Sequence, residues 1–258
     1  MKNTKATVTL VGAGPGDPEL LTLKAVRALQ QATVVLVDDL VHPDVLGHVS
    51  AQARIVHVGK RGGCQSTPQA FIEKLMVQEA MAGEQVVRLK GGDPLVFGRG
   101  GEECAYLLAQ GIEVRIINGI TAGMAAATDM GVALTHRAHA HGVVMVTGHG
   151  KDKGGLPPID WQMLAQSAHT CHLTLVIYMG IQNIALIQQG LMMGLPPQTP
   201  VAIVENASHA QTRQAHGELQ HLQKLLMQSK LASPAIIIVG DVLRAMTQIE
   251  LPISTRQA

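Results

Sequence analysis

Val87-Arg88-Leu89-Lys90-Gly91-Gly92-Asp93-Pro94-Leu95-Val96-Phe97-Gly98-Arg99-Gly100-Gly101-Glu102-Glu103 begins as a short apolar strand and becomes a long, glycine-broken turn carrying charge of both signs. Asp93, Pro94 and Arg99 all pass before a helix can start at Glu102. Simple chain reversal takes only a few residues. The five glycines of the run let the backbone adopt positive φ and approach something bound. Loops of this kind at the carboxyl end of a strand are where α/β proteins hold ligands.

Outward from this run, strand and helix patterns alternate. Residues 6–11, 34–37, 55–58 and 86–89 read as short apolar strands, and 113–117 closes the series. Thr22 caps a helix reaching about Gln31. Pro68 opens another, in which Phe71, Ile72, Leu75 and Met76 form one apolar face. Cys104, Leu107 and Leu108 mark the helix that follows the long run. Short apolar strands separated by helices imply a parallel sheet covered on both faces.

The rhythm breaks at Asn118-Gly119-Ile120-Thr121, which sets the expected domains at 1–118 and 119–258. The second part holds a small-residue helix (122–130), strands at 143–147, 173–178, 201–204 and 235–239, and helices at 183–193 and around Leu219, Leu222 and Leu226. Residues 148–158, rich in Gly, Lys and Pro, read as a mobile loop. An antiparallel strand within 211–217 would make the second sheet mixed. The fold class expected is therefore two α/β domains, a parallel sheet followed by a mixed one.

Composition narrows the function. Aromatic residues are 2% of the 258, which argues against base-stacking nucleic-acid platforms. A formal net charge of +1 recruits neither DNA nor membranes. Cys64, Cys104 and Cys171 are odd in number and lack CxxC spacing, as expected of free thiols in the cytoplasm. The apolar run 8–11 is too short for a signal peptide or a membrane span. His136, His139, His141, His169 and His172 lack the partners of a tetrahedral set, so no metal is expected.

Gly12-Ala13-Gly14-Pro15-Gly16-Asp17 follows the first strand and invites a dinucleotide-binding reading, with Asp38 ~20 residues on as a ribose-binding acid. The match fails in detail. The last glycine of the fingerprint is replaced by Asp17, and Pro15 and Pro18 keep a helix from starting tightly against a pyrophosphate.

These residues, with Pro18-Glu19-Leu20-Leu21-Thr22, the 87–103 run, Gly119-Ile120-Thr121-Ala122, Leu134-Thr135-His136-Arg137, Thr147-Gly148-His149, Tyr178-Met179-Gly180 and Val204-Glu205-Asn206, resemble the tetrapyrrole methylases in content and order. The resemblance runs from Val8 to about Val242 and is strongest to members that methylate uroporphyrinogen III on carbon. It implies a cleft between the two domains holding S-adenosylmethionine (SAM), which leaves as S-adenosylhomocysteine, in a homodimer. It also implies conversion of uroporphyrinogen III through precorrin-1 to precorrin-2, serving siroheme or cobalamin synthesis. Carried over residue by residue, cofactor positions fall on Pro15, Gly91, Gly92, Asp93, Val96, Thr121, Ala122, Met179 and Ala207. Acid/base positions fall on Asp38 and Lys60, which end the second and third strands at one rim of the sheet.

A polycarboxylate substrate calls for cations, and Lys60, Arg61, Lys90, Arg99 and Arg137 stand on ligand-type loops. Arg99, set among glycines, is the foremost candidate because arginine grips a carboxylate with paired hydrogen bonds. The chain departs from the family pattern at Asp39, at 138–142, at 123–127 and at 207–208, positions that bear on the tetrapyrrole more than on SAM. The alternatives are a methylase of a later precorrin, an NAD-dependent oxidoreductase using 12–17 and Asp38, and a SAM-binding protein without activity.

Overall fold

Val34-Val35-Leu36-Val37 offers no polar side chain on either face, and all four residues are buried. A strand of this kind needs cover on both sides, which a parallel sheet with crossover helices supplies. The computed structural model describes residues 6–59, 67–149 and 158–248. Lys60, Arg61, Cys64 and residues 150–157 of the expected loop therefore lie outside the described residues. The chain divides into two compact units, Met1–Ala122 and Gly123–Ala258.

The first unit runs β1 (Thr7–Gly12), α1 (Leu23–Gln31), β2 (Val34–Val37), β3 (Arg54–His57), α2 (Gln69–Met81), β4 (Val86–Lys90), α3 (Gly100–Ala109) and β5 (Glu113–Ile117). Its five strands form a parallel sheet in the order β3-β2-β4-β1-β5. Every strand therefore points its carboxyl end to the same rim. Thr22 caps α1, its hydroxyl accepting from the Ala25 N–H at 3.2 Å. One face of the sheet buries Val8, Leu10, Leu36 and Val86 with Ile72, Met76 and Leu107 from α2 and α3. The other buries Val11, Val35, Val37 and Leu89 with Ala25 and Leu29 of α1. A fully buried side chain of this size contributes roughly 1.5–3 kcal/mol.

The apolar face expected of α2 is half right. Ile72 and Met76 are buried, but Phe71 is exposed. Leu108 of α3 is likewise exposed while Leu107 is in the core. Each exposed residue lies one position, about 100° of helical turn, away from the residue that packs.

The turn after β1 does not make a dinucleotide fingerprint. It leads into a short 3-10 turn at Pro18–Leu20, and α1 starts only at Leu23. No helix amino terminus meets the glycines, and β1 lies between β4 and β5 rather than beside β2.

α4 (Ala122–Asp129) leads into the second unit, which continues β6 (Gly142–Thr147), α5 (Trp161–Thr170), β7 (Leu173–Tyr178), α6 (Ile184–Leu191), β8 (Pro200–Glu205), β9 (Arg213–Glu218), α7 (Leu222–Ser229) and β10 (Ala235–Val239). The sheet order is β6-β7-β10-β8-β9, with β6 and β7 parallel and the other pairings antiparallel. β9 does turn back on β8 as expected, but the sheet is mixed even without it, because β10 runs antiparallel to both β7 and β8. Among the described residues, no helix is long and apolar enough to cross a membrane.

Candidate functional site

Strand order in the first unit makes β4, β1 and β5 neighbours, so the segments leaving their carboxyl ends meet. Gly92 donates to the Gly14 carbonyl at 2.7 Å and Gly14 donates back at 3.2 Å, an isolated antiparallel bridge just beyond the parallel β1–β4 ladder. Glycine is required where these segments press together. A Cβ on Gly12 would stand 2.5 Å from the Gly119 nitrogen and 2.6 Å from the Gly92 oxygen. One on Gly119 would collide with that same oxygen and lie 2.9 Å from the Gly12 backbone. Neither obstacle is a side chain that can swing aside.

Gly119→Ala should therefore cost on the order of 1–3 kcal/mol, the usual range for overpacking, and lower the melting temperature by several degrees. Gly101 of α3, where an added methyl would have nothing within 4 Å, is the matched control. Gly101→Ala should be neutral or stabilising, since alanine is the better helix former. Equal melting temperatures for the two variants would contradict this packing.

Asp93 fastens the same junction. It is buried, its Oδ1 accepts from the Leu95 N–H at 2.8 Å, and its Oδ2 accepts from Asn118 Nδ2 and the Gly119 N–H, both at 3.1 Å. Its carboxylate thus ties the loop after β4 to the segment after β5, a task the sequence did not reveal. Gly92 differs from its neighbours. At φ +66° a Cβ there would meet no obstacle, only Thr121 Cα and Ala122 N at the ordinary contact distances of 3.9 and 4.0 Å. Pro15, Gly91, Asp93, Val96, Thr121 and Ala122, the other cofactor positions expected in this unit, lie on the segments that follow β1, β4 and β5.

In the second unit, Met179 follows β7 at φ +52° and is 42% exposed. An exposed methionine in the left-handed region is no ordinary core residue, and strain of this kind collects at ligand sites. Ala207 is buried between Asn206 and Ser208, both also at positive φ. Phe97 and Arg99 in the first unit share this conformation. Most non-glycine residues at positive φ among the described residues thus stand at or beside sequence-inferred site positions.

Asp38 stands just past β2, half-exposed, its N–H donating to the Leu89 carbonyl at 3.1 Å. β2 and β3 are adjacent and parallel, so the segment leading to Lys60 starts on the same rim; Lys60 itself lies outside the described residues. Arg99 precedes α3 on the surface, with Nη2 2.6 Å and Nε 3.1 Å from the Glu102 carboxylate. That pairing holds the Glu102 carboxyl below its ordinary pKa. Among the described residues Arg99 Nη1 meets no acceptor.

One expectation is corrected. Lys90 is not a loop cation. It ends strand β4, is 3% exposed, and sits 3.0 Å from Glu103 of α3. Burial, aided by Arg88, holds its ammonium below the ordinary lysine pKa, with Glu103 opposing. Arg88, also buried, bonds the same carboxylate at 3.3 Å and reaches Asp38 Oδ2 at 3.4 Å. The visible signal was two cations at i and i+2 in a strand otherwise fit for a core, with paired glutamates opening the next helix.

The family model of the tetrapyrrole (corrin/porphyrin) methylases matches residues 7–223. A uroporphyrinogen-III C-methyltransferase of Pseudomonas aeruginosa is 52% identical over 238 residues, covering 92% of this chain and 94% of that protein. The crystal structure of a uroporphyrin-III C-methyltransferase from Thermus thermophilus, complexed with S-adenosylhomocysteine, superposes with a TM-score of 0.78 at 40% identity, covering 93% of this chain and 99% of that one. A cobalt precorrin-4 methyltransferase superposes with a TM-score of 0.80 at 25% identity, covering 92% and 96%.

Proposed function

From a chain that belongs to the tetrapyrrole methylases, we propose a SAM-dependent C-methyltransferase that converts uroporphyrinogen III to precorrin-2 by way of precorrin-1. The observation that carries this is identity of 52% along 92% of the chain to a protein with that activity in its name. Fold alone does not choose the tetrapyrrole, since a later-precorrin methylase superposes as well; its 25% identity does not compete. Siroheme or cobalamin synthesis is the setting.

Bound SAM would supply an electrophilic methyl group to a ring carbon of the tetrapyrrole, its carbon–sulfur electron pair returning to sulfur to leave S-adenosylhomocysteine. In the first unit, Pro15, Gly91, Gly92, Asp93, Val96, Thr121 and Ala122 hold it, the glycines through close backbone approach. In the second, Met179 and Ala207 do so. Most of the acceleration of such a transfer comes from alignment and the exclusion of water. The methylated ring is cationic and must lose a proton. Asp38 accepts it and Lys60 serves as the complementary acid. Arg99 and Arg137 meet the substrate's carboxylates, Arg99 through the Nη1 edge that Glu102 leaves over. The half-exposed apolar strand β6, at the edge of its sheet, supports assembly as a homodimer, and the unpaired Cys104 and Cys171 support a cytoplasmic setting.

The test is incubation of the purified protein with uroporphyrinogen III and SAM. The expected product is a fluorescent, dimethylated isobacteriochlorin, with saturable S-adenosylhomocysteine binding and no NAD binding. If SAM binds but uroporphyrinogen III stays unmethylated, the assignment is wrong, and turnover of precorrin-2 would move it to a later step.

A further inference from the structure

Arg88 occupies a place where leucine or valine would cost nothing. It lies in the central strand β4 between Val87 and Leu89, directly opposite Leu36 of β2, and is 2% exposed. Burying a guanidinium carries a desolvation penalty that an ion pair at best offsets, so a buried salt bridge is poor evidence of a stabilising device. Its contacts say what it accomplishes instead. Nε donates to Glu103 Oε1 at 3.3 Å, Nη1 reaches the carbonyls of Leu36 and Leu89 at 3.4 Å, and Nη2 stands 3.4 Å from Asp38 Oδ2. The rigid fork therefore runs from the backbone of β2 to the Asp38 side chain just past the end of that strand.

Glu103 is fully buried and takes Arg88, Lys90 and Gln69 all on Oε1, while its Oε2 has no hydrogen-bond partner among the described residues. Lys90 supplies the charge that balances this set: two cations against Glu103 and Asp38. Of these four charges only Asp38 reaches solvent, at 36%. Asp38 Oδ1 accepts from the Asp39 N–H at 3.3 Å, so the Arg88 ion pair at Oδ2 is the second restraint on this carboxylate, and a base must stand within hydrogen-bond reach of the proton it takes.

We propose that Arg88 is a positioning residue for the reaction, its guanidinium locking the Asp38 carboxylate at the rim while Glu103 and Lys90 keep the buried charge balanced. This rests on the reading of Asp38 as proton acceptor. Lysine at position 88 would keep the charge but lose the planar fork.

The experiment compares wild type, Arg88→Lys, Asp38→Asn and the double variant, measuring melting temperature, S-adenosylhomocysteine affinity by calorimetry, and kcat and KM with uroporphyrinogen III and SAM. Arg88→Lys should lower kcat about tenfold or more, a scale consistent with sub-ångström misplacement, with both KM values and the S-adenosylhomocysteine affinity within about twofold of wild type. On the Asp38→Asn background it should lower kcat no further. An undiminished kcat in Arg88→Lys, a loss matched by weaker S-adenosylhomocysteine binding, or additive losses in the double variant would each overturn the proposal and leave the base in place. Wild-type turnover in Asp38→Asn would remove the base itself, and positioning with it. If Arg88→Lys does not fold, Arg88→Gln with Glu103→Gln preserves the charge balance and takes the same measurements.

Discussion

Glu103→Ala is expected to lower folding stability by about 3–5 kcal/mol, the range found when one partner of a buried ionic set is removed. That is a large share of the roughly 5–15 kcal/mol that holds a domain together. The variant strands Arg88 and Lys90, 2% and 3% exposed, without their common carboxylate. Arg88 cannot shed its proton, and Lys90 can. Burial already holds Lys90 below its ordinary 10.5, and Glu103 pulls the other way. Without Glu103 the folded variant therefore binds that proton less tightly than wild type does. The unfolded chain then carries more protons, so stability of the variant rises with pH, and its deficit shrinks as the pH climbs from neutrality towards 10.5. Urea midpoints across that interval measure this directly. Replacing Arg88, Lys90 and Glu103 together by methionine should recover most of the loss, as apolar substitution of buried ion sets often does. A single-variant deficit below about 1 kcal/mol, the worth of an exposed pair, would mean that the three charges are not buried in solution.

The same cluster marks where the sequence stopped being legible. Period and punctuation place β2, β5, β7 and β10, because short, largely apolar runs of four to six residues bounded by turn signals admit few other readings. The parallel sheet follows from their alternation with helices. Strand order does not follow, since it depends on which crossover packs on which face, and only that order makes Leu36 the neighbour of Arg88. Without the neighbour, Arg88 is an unexplained charge within a strand and Lys90 looks like a loop cation. With it, they are a buried lattice below Asp38.

The glycine-rich segments were legible in kind but not in division of labour. Gly12, Gly91 and Gly119 are needed for chain to pass chain, with backbone or the Leu40 side chain filling the space a methyl would take. Gly92 is needed for its conformation instead, at φ +66° with only ordinary contacts where a methyl would stand. Asp93, one of the cofactor positions the resemblance implies, spends both carboxylate oxygens on the protein's own N–H donors, and can serve a ligand only through their remaining lone pairs. Arg99 is less committed to ligand than its setting among glycines suggested, because Glu102, three residues on, lies within reach once the helix forms. Side-chain pairings one turn apart are visible in a sequence when the helix start is known. The expected start at Glu102 was two residues late; α3 begins at Gly100.

Asp38→Asn should reduce kcat by about 10²–10⁴, the usual worth of a positioned general base. Asparagine keeps the shape but loses the charge that faces Arg88 Nη2 3.4 Å away, and it cannot take up the proton that the methylated ring must lose. The substrate is a polyanion, so removing a negative charge at the rim eases its approach. KM for the tetrapyrrole should therefore hold steady or fall while kcat collapses, the pattern of an interaction used in the transition state rather than in binding. S-adenosylhomocysteine affinity should be unchanged, since Asp38 is not among the residues assigned to hold it. Asp38→Glu offers the complementary reading. It restores the proton acceptor but pushes it out by one methylene, away from the place the Arg88 fork defines, and should land between asparagine and wild type. A glutamate variant no better than asparagine would say that position matters as much as chemistry. An asparagine variant within a few-fold of wild type would show that the proton leaves by another route, through the segment that carries Lys60 or through solvent.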